Sequence, residues 1–273
     1  MSQDQTTLAK TFKDLHAGDA PLILPNAWDA GSARLMEHIG SKSTATTSAG
    51  VAWAHGYQDG DQLPVHILIS TIESIARVVS IPVSVDIEGG YSSDPTAVGE
   101  TAARVIGAGA VGINIEDGSG SPDLLCRKIE AVRRSAAQAG VPLFINARTD
   151  VHLRGLVDKE TRTSEVTRRS ALYRSAGADG LFVPLLMDAT SIGAIANGVA
   201  LALNVMACPG LPPVSELGEL GVRRLSIGSA VSQAVFARMR ELAEAFLRDG
   251  DSDAATSGGM PFPDVNGLFS AVS

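Results

Sequence analysis

Eight short apolar runs alternate with longer segments of helical period, and this alternation limits the fold more than any other feature. Several runs are apolar throughout, which is typical of parallel strands that are covered by helices. The runs lie at residues 22–27, 43–48, 83–88, 112–116, 143–149, 180–185, 200–206 and 224–228. Eight strand–helix units in about 250 residues predict a closed (β/α)8 TIM-type barrel.

Helix start and stop signals agree with this prediction. Asp94 and Pro95 provide an N-cap and a first-turn proline for a helix over 96–107. The segments 124–139 and 164–176 place apolar residues at helical spacing. An open doubly wound sheet is the alternative, but no Gly-x-Gly-x-x-Gly follows the first strand, which disfavours a dinucleotide-binding fold.

Composition narrows the class of protein. The chain has 273 residues, 45% of them hydrophobic and only 19% charged, so it can bury a sizeable core. Its net charge of -8 argues against nucleic-acid binding but permits a local basic pocket. Two cysteines without metal-ligand spacing favour a reducing compartment. With no secretory signal and no membrane-spanning run visible, we expect a cytoplasmic protein without a membrane partner.

The C-terminal part differs in composition from the rest. Residues 249–259 are small, polar and glycine-rich, which is typical of a flexible linker, and residues 260–269 become apolar again. We therefore expect a barrel catalytic domain over 1–248 and a linker with a C-terminal tail over 249–273. The tail either docks on a barrel or is a frayed end.

Polar residues gather where the predicted strands end, which is where a barrel of this kind places its active site. Asp86 and Glu88 are two residues apart and face the same side of their strand. Glu116 ends the next strand, and Arg148 ends the one after it. Converging carboxylates repel one another unless they are protonated or matched by a cation, and oxygen ligands suit Mg²⁺ or Mn²⁺. Arg148 suits a substrate carboxylate. A solvated set of strand ends with an Arg–Glu pair is the alternative.

Two further segments are candidates for the site. Ser48 and the backbone N–H groups after it could bind an oxyanion, or could form a plain turn. The segment 53–61 reads as a long loop from which Asp59 could reach a metal-bound water.

The chain resembles the isocitrate lyase/phosphoenolpyruvate mutase superfamily in a series of ordered motifs. They are PNAWD at 25–29, TTSAG at 46–50, the loop at 56–59, VDIEGGY at 85–91, INIEDG at 113–118, INARTD at 145–150 and LNV at 203–205. The resemblance implies a barrel whose eighth helix is swapped between paired subunits, usually in a homotetramer that is a dimer of helix-swapped dimers. It also implies Mg²⁺ chemistry on 2-oxo acids or dicarboxylates.

The resemblance also implies roles for individual residues. Asp86 would bind the metal directly, and its waters would be held by Asp59, Glu88 and Glu116. The implied substrate contacts are Ser48, Ala49, Gly50, Arg148 and Asn204. Trp28 either lines the pocket or packs over the barrel mouth. We expect catalysis to depend on Asp59, Glu116 and Arg148.

Departures from the family pattern narrow the reaction. In the lyase branch, the Glu that corresponds to Glu116 is followed by Lys-x-Cys-Gly-His. In the mutase branch, the same loop carries a Lys and an Asn-Ser pair. Residues 117–125 read DGSGSPDLL, and Cys126 falls inside the next helix as a structural residue. Isocitrate cleavage by the usual route and phosphonate rearrangement are therefore disfavoured. Decarboxylation is compatible with this loop, because CO₂ leaves without an acid at the breaking bond.

These observations predict a Mg²⁺-dependent carbon–carbon lyase or decarboxylase that acts on a 2-oxo acid or 2-hydroxy diacid through a metal-stabilised enolate. One alternative is a phosphonopyruvate-type hydrolase or phosphonomutase, which needs a nucleophile or water near Ser119 or Ser121. A second alternative is a non-catalytic barrel that binds 2-oxo acids. His152 and Cys208 lie near the expected mouth without an assigned role.

Overall fold

The computed structural model describes residues 3–18 and 20–270, and within them nine parallel strand segments form a sheet. The segments are β1 (Leu22–Leu24), β2 (Asn26–Ala27), β3 (Thr44–Thr46), β4 (Val83–Asp86), β5 (Gly112–Glu116), β6 (Phe144–Arg148), β7 (Gly180–Val183), β8 (Ala202–Met206) and β9 (Val222–Ser226). Their order is β1-β9-β8-β7-β6-β5-β4-β3-β2.

The first predicted strand accounts for both β1 and β2, and it closes the sheet into a ring. β1 pairs with β9, whereas β2 pairs with β3. The two segments are separated only at Pro25, which has no N–H group to donate to a ladder. The TIM-type barrel is therefore confirmed, and the open doubly wound sheet is not the fold.

Helices follow the strands as predicted. They are α1 (Gln3–Leu15), α2 (Ala30–His38), α3 (Ser48–Ala54), α4 (Val65–Val78), α5 (Pro95–Gly107), α6 (Pro122–Ala139), α7 (Arg162–Ala176), α8 (Ala189–Gly198), α9 (Val214–Glu219), α10 (Ala230–Asp249), α11 (Asp253–Ser257) and α12 (Phe262–Gly267). The Asp94 side chain accepts a hydrogen bond from the Thr96 N–H at 2.9 Å, which confirms the predicted N-cap.

Helix α1 covers the amino-terminal ends of β5 and β6. The Phe12 ring meets the Phe144 ring edge-on at 5.5 Å, and the His16 ring stacks on Phe144 at 4.1 Å. A Cβ at Gly112 would lie 2.6 Å from the Phe12 ring, so only glycine allows this approach. Helix α1 thus covers this end of the barrel, and the open end is the one at which the strands have their carboxyl termini.

Most of helix α10 is exposed beyond its first turn, where Ser232 is buried. Its exposed residues include the apolar Val235, Met239 and Phe246, and Phe236 packs edge-on against the Trp53 ring at 6.1 Å. No helix in the described part of the chain is long and apolar enough to cross a membrane.

The C-terminal segment returns to the barrel after α10. The segment that was expected to be a flexible linker contains the short helix α11. Leu268 is buried, and its carbonyl accepts a hydrogen bond from Arg34 Nε on α2 at 2.6 Å. The tail thus contacts the barrel at Leu268, whereas Phe262 and Val265 are exposed.

Candidate active site

A small cavity of about 110 Å³ opens at the carboxyl-terminal ends of the strands. Residues from α3, from the loop after it and from several strands line it, among them Ser48, Asp59, Asp86, Asn114 and Arg148. The cavity thus combines carboxylates, an amide and a guanidinium within one partly enclosed space. Such a combination suits a small acid bound together with a cation.

Asp86 ends β4 and lies at the bottom of the cavity. Its side chain is buried, its N–H donates to Thr46 Oγ1 at 2.8 Å, and its Oδ1 accepts from the Glu88 N–H at 3.0 Å. Burial raises the pKa of Asp86, and the neighbouring Asp59 adds to this, although the positive charge of Arg148 opposes it. A bound cation would relieve the cost of ionising this carboxyl group.

Arg148 is fixed by two carboxylates. Its Nε and Nη2 donate to the two oxygens of Asp150 at 2.7 and 3.1 Å, and its Nη1 lies 2.6 Å from Glu116 Oε2. The guanidinium also lies over the Phe182 ring at 5.9 Å. These three bonds leave two N–H groups of the guanidinium for a ligand. The acidic neighbours raise the pKa of Arg148 against the effect of its burial, so it stays cationic.

Glu116 combines burial with a charged partner. Burial raises the pKa of Glu116 to about 8, because it outweighs the opposing charge of Arg148 and is reinforced by Asp86 and Asp150. This carboxyl group can therefore hold or release a proton near neutral pH. Asp86 and Glu116 repel one another electrostatically, which again favours a cation between the strand ends.

Glu88 anchors the loop that carries Asp59. The N–H groups of Gly60 and Asp61 both donate to Glu88 Oε2, the former at 2.8 Å, and Tyr91 Oη donates to Glu88 Oε1 at 3.0 Å. Glu88 has a φ of 52°, which is rare for a residue with a Cβ and turns its side chain toward the loop. Burial raises the pKa of Glu88 to about 7. The loop engages one oxygen and Tyr91 engages the other, and Asp59 lines the cavity whereas Glu88 lies beside it.

The segment after β3 is a helix rather than the predicted strand end and turn. β3 ends at Thr46 and α3 begins at Ser48, so Ser48 and Ala49 lie in the first helical turn and line the cavity. The first N–H groups of a helix have no intrahelical acceptor, so they are available to an oxyanion.

Gly50 and Trp28 do not line the cavity. A Cβ at Gly50 would lie 2.7 Å from Thr47 Cγ2 and 2.9 Å from Trp28 Cβ. Gly50 is thus a close-packing position in which α3 touches the end of the first strand. Trp28 is partly buried and packs against the core, and its contact with substrate stays a prediction.

Asn204 lies below the cavity and not in it. Its Oδ1 accepts from Asn146 Nδ2 at 3.0 Å, and its Nδ2 donates within the barrel, including to Ser226 Oγ at 3.1 Å. Asn146 also donates to Asn114 Oδ1 at 2.9 Å, and Asn114 lines the cavity. The Asn204 amide thus supports the neighbouring strands, and its expected contact with substrate stays a prediction.

Asn26 is a lining residue to which sequence reasoning assigned no role. Its Oδ1 accepts from the N–H groups of Ile227 and Gly228 at 3.0 and 2.9 Å, and its Nδ2 donates to Thr46 O at 3.0 Å. It therefore links the first strand to β3 and to the end of β9. An amide residue inside an apolar strand was the signal that could have identified both Asn26 and Asn114.

The oxygen donors of the cavity fit a Mg²⁺ ion that is bound directly by one protein carboxylate and otherwise by water. In the part of the chain that the structure describes, no three His, Cys, Asp or Glu side chains are grouped to hold a metal ion by themselves. Mg²⁺ commonly keeps several waters and takes only one or two carboxylates from the protein. The buried Asp86, with Asp59 across the cavity and Glu116 beside it, is compatible with that arrangement.

The remaining candidates lie outside the cavity. His152 lies on the far side of the turn that follows β6 and faces a separate pocket. Cys208 is half-buried beyond β8, and Cys126 lies within α6 as predicted. Ser121 caps α6 by accepting from the Asp123 N–H at 3.2 Å, and Ser119 is exposed.

The fold and the cavity define a class of protein: TIM-type barrels with an acidic, oxygen-lined mouth and a fixed arginine. The chain belongs to the phosphoenolpyruvate phosphomutase family, whose model matches residues 12–247. This confirms the resemblance to the isocitrate lyase/phosphoenolpyruvate mutase superfamily that its motifs indicated.

Several relatives are similar over most of their length. An uncharacterized protein of Mycobacterium tuberculosis is 38% identical over 224 residues, which cover 80% of this chain and 82% of the relative. The oxaloacetate decarboxylase 1 of Pseudomonas fluorescens is 27% identical over 265 residues, which cover 90% of this chain and 89% of that enzyme.

Two crystal structures of Burkholderia cenocepacia J2315 proteins have the same fold. One, described as a lyase/mutase, has a TM-score of 0.89 with 33% identity and covers 99% of this chain and 98% of its own. The other, described as a phosphonomutase, has a TM-score of 0.82 with 39% identity and covers 86% of this chain and 98% of its own.

Proposed function

We propose that this protein is a Mg²⁺-dependent lyase that breaks a carbon–carbon bond in a 2-oxo acid or 2-hydroxy diacid, with decarboxylation of an oxaloacetate-type substrate as the favoured reaction. The observation that carries the proposal is the pairing of a fixed, partly free Arg148 with the buried Asp86 in one small cavity. The relative from Pseudomonas fluorescens, named as an oxaloacetate decarboxylase, supports the choice of reaction.

Arg148 would bind the substrate carboxylate that stays in the product after the carbon–carbon bond breaks. Its two remaining N–H groups suit a bidentate contact, and Asp150 and Glu116 hold it in place before the substrate arrives. The first-turn N–H groups at Ser48 and Ala49 would receive the oxo group or the adjacent carboxylate oxygen. Substrate orientation would thus come from groups that need little rearrangement.

Asp86 would bind Mg²⁺ directly. The water molecules on the ion would contact three further carboxylates, Asp59, Glu116 and Glu88, the last of which lies beside the cavity. When bound, the ion would supply Lewis-acid stabilisation of the negative charge that develops on the substrate oxygen. The Asp59 loop, anchored on Glu88, would exclude bulk water from the cavity. Glu116 would act in catalysis by fixing Arg148, which it contacts at 2.6 Å, and the carbon that loses CO₂ would take its proton from water.

The strand-five loop supports decarboxylation over cleavage routes that need an acid on the leaving fragment. Residues 117–125 contain no Cys, Lys or His, and Ser121 is engaged in capping α6. Loss of CO₂ requires only stabilisation of the electron pair that remains on the substrate. The composition of this loop thus supports decarboxylation over a cleavage that would need an acid from residues 117–125.

A phosphonopyruvate-type hydrolase or phosphonomutase is the second candidate. It is favoured by the family model and by the 39% identical structure described as a phosphonomutase. The exposed Ser119 is the hydroxyl group of this loop that is left for a role in phosphoryl chemistry. Release of phosphate from phosphonopyruvate would identify this reaction. A barrel that binds 2-oxo acids without turnover would show ligand affinity alone.

We also propose that α10 is exchanged between two copies of the chain, as the resemblance implies, and that such dimers pair as tetramers. The outer face of β1 is uncovered, and its Ile23 is 59% exposed beside an apolar groove that Leu15 and Ile39 also line. The exposed apolar residues of α10 form a surface of the kind that such a groove would bury.

The test is a substrate panel. It comprises oxaloacetate, 2,3-dimethylmalate, 2-methylisocitrate, isocitrate and phosphonopyruvate, each with Mg²⁺ and with chelator, with release of 2-oxo acid or phosphate as the readout. We expect Mg²⁺-dependent pyruvate release from oxaloacetate that is lost in Asp86→Ala and retained in the surface variant Asp123→Ala. If Asp86→Ala and the unaltered protein gave the same rate, pyruvate release would be explained by decay of oxaloacetate that Mg²⁺ drives without the enzyme. That result would overturn the proposal.

A further inference from the structure

A second polar pocket lies beside the catalytic cavity, on the other side of one turn. Its volume is about 480 Å³, and the residues that line it include His152, Lys159, Arg162, Leu185 and Asp188. The turn over 151–155 separates the two spaces: Leu153 lines the catalytic cavity, whereas its neighbour His152 lines this side pocket. The side pocket is thus close to Arg148 along the chain but has its own walls.

Two cations, Lys159 and Arg162, line the side pocket together with a single carboxylate, Asp188. In the described part of the chain, the Lys159 side chain makes no hydrogen bond or salt bridge, and the Arg162 side chain makes a long bond from Nε to Val157 O at 3.4 Å. The Asp188 carboxylate accepts from the Ser191 N–H at 2.8 Å as the cap of α8, and this cap together with the charge of Lys159 lowers its pKa, so two positive charges face one negative charge in the pocket. In a chain with a net charge of -8, this local excess of positive charge is a specific feature.

His152 adds an unsatisfied polar atom to the same wall. Its Nε2 is inaccessible to solvent and has no hydrogen-bond partner in the structure. The charge of Arg162 and burial both lower the pKa of His152, so its ring is neutral and can donate or accept one bond at Nε2. A buried polar atom without a partner is costly, and a turn of the ring that brings Nε2 to an oxyanion in the pocket would remove that cost.

The other wall is apolar and conformationally constrained. Leu185 and Met187 line the pocket and are 38% and 41% exposed. Leu185 has a φ of 58°, a left-handed conformation that is uncommon for a residue with a Cβ. Leu185 and Met187 thus add hydrocarbon to a pocket whose other lining residues are mostly polar or charged.

We propose that this side pocket binds a small organic anion, carrying a carboxylate or phosphate group, at a site distinct from the catalytic cavity. Lys159 and Arg162 would bind the oxyanion, His152 would complete its hydrogen bonds, and Leu185 with Met187 would contact the short carbon chain. The proposal is independent of the reaction that the catalytic cavity performs, since it concerns binding alone.

The experiment measures binding of two probes, inorganic phosphate and malonate, by calorimetry and by the imidazole ¹H–¹⁵N spectrum of the full chain. The Arg148→Ala variant serves as the background, because it removes the cation that would bind an oxyanion in the catalytic cavity. We expect at least one probe to bind and to shift the His152 signal, which is assigned with His152→Gln. Replacing Lys159 and Arg162 together by Met should weaken binding by about tenfold or more.

Arg168→Met is the matched control, because Arg168 also lies on α7 but is exposed and paired with Glu165 at 2.8 Å. It should leave the affinity unchanged. Folded protein that binds neither probe, or binding that is equal in the Lys159/Arg162 double variant, would overturn the proposal. Binding that disappears in Arg148→Ala would do the same, because it would place the anion in the catalytic cavity.

Discussion

Asp150 holds the guanidinium of Arg148 from below through two hydrogen bonds of 2.7 and 3.1 Å, and its own side chain is fully buried. It also accepts a hydrogen bond from Arg154 Nε at 2.9 Å, and its backbone N–H donates to Asp117 Oδ1 at 2.9 Å. Arg148, which lines the cavity, is therefore positioned by Asp150, a buried carboxylate that does not line the cavity.

Replacing Asp150 by Asn should loosen Arg148 without changing the size of the side chain. The amide can accept at only one atom and presents a donor to the guanidinium, so we expect about tenfold weaker substrate affinity and a loss of ~2 to 3 kcal/mol in unfolding free energy. Steady-state kinetics and urea denaturation measure the two effects. Arg154→Gln, which removes a half-exposed partner of Asp150, should cost at most about 1 kcal/mol. Unchanged affinity in Asp150→Asn would mean that Glu116 alone positions Arg148.

Asp86→Asn should weaken metal binding by at least about tenfold, because it removes the charge of the proposed direct ligand and keeps its shape. Binding of Mn²⁺, followed by electron paramagnetic resonance, tests this without any substrate. Asp123→Asn, an exposed position on α6, should bind Mn²⁺ as the unaltered protein does. Equal affinity in all three proteins would remove Asp86 from the metal site.

The metal-free protein should lose stability as the pH rises through the range in which Glu88 ionises. Burial raises the pKa of Glu88 from 4.5 to about 7, so the folded state binds more protons than the unfolded state between these values. The favourable contribution is complete below pH 4.5 and is lost by about pH 7. Urea denaturation in chelator should show this loss, at most about 3 kcal/mol, and Glu88→Gln should abolish it.

The comparison with the variant is essential because His16 acts in the opposite direction. Burial lowers the pKa of His16 from 6.5 to about 3, so its contribution to stability grows as the pH rises between these values. The difference between Glu88→Gln and the unaltered protein cancels this effect. If that difference stays constant between pH 4.5 and 7, the Glu88 prediction is incorrect.

Charges at exposed apolar positions of α10 should separate the proposed subunits. Met239 and Phe246 are two of these positions, and they are 55% and 57% exposed within one chain. Replacing both by Asp should shift the mass seen in light scattering from an oligomer to a monomer, because burying two carboxylates in an apolar groove is costly. Glu244→Gln, at an exposed polar position of the same helix, should leave the oligomer intact. An unaltered protein that is a monomer would disprove the exchange of α10.

Local patterns in the sequence were sufficient for the barrel and for much of the site. The eight strand runs, the Asp94 cap and the helix around Cys126 follow from periodicity and capping, which depend on neighbours along the chain. Motif resemblance and strand-end position together indicated Asp86 and Arg148, which the structure brings into one cavity.

Tertiary structure decided which polar side chains reach the cavity. The left-handed backbone of Glu88 turns its side chain to the Asp59 loop. Hydrogen bonds to other strands hold the Asn204 side chain below the cavity. His152 follows the motif around Arg148 yet faces a different pocket across a single turn. The sequence by itself determined the strands, the helices and the chemical types at the barrel mouth, because those depend on local periodicity. Only the fold decided their directions and partners, because these depend on hydrogen bonds between residues far apart in the chain.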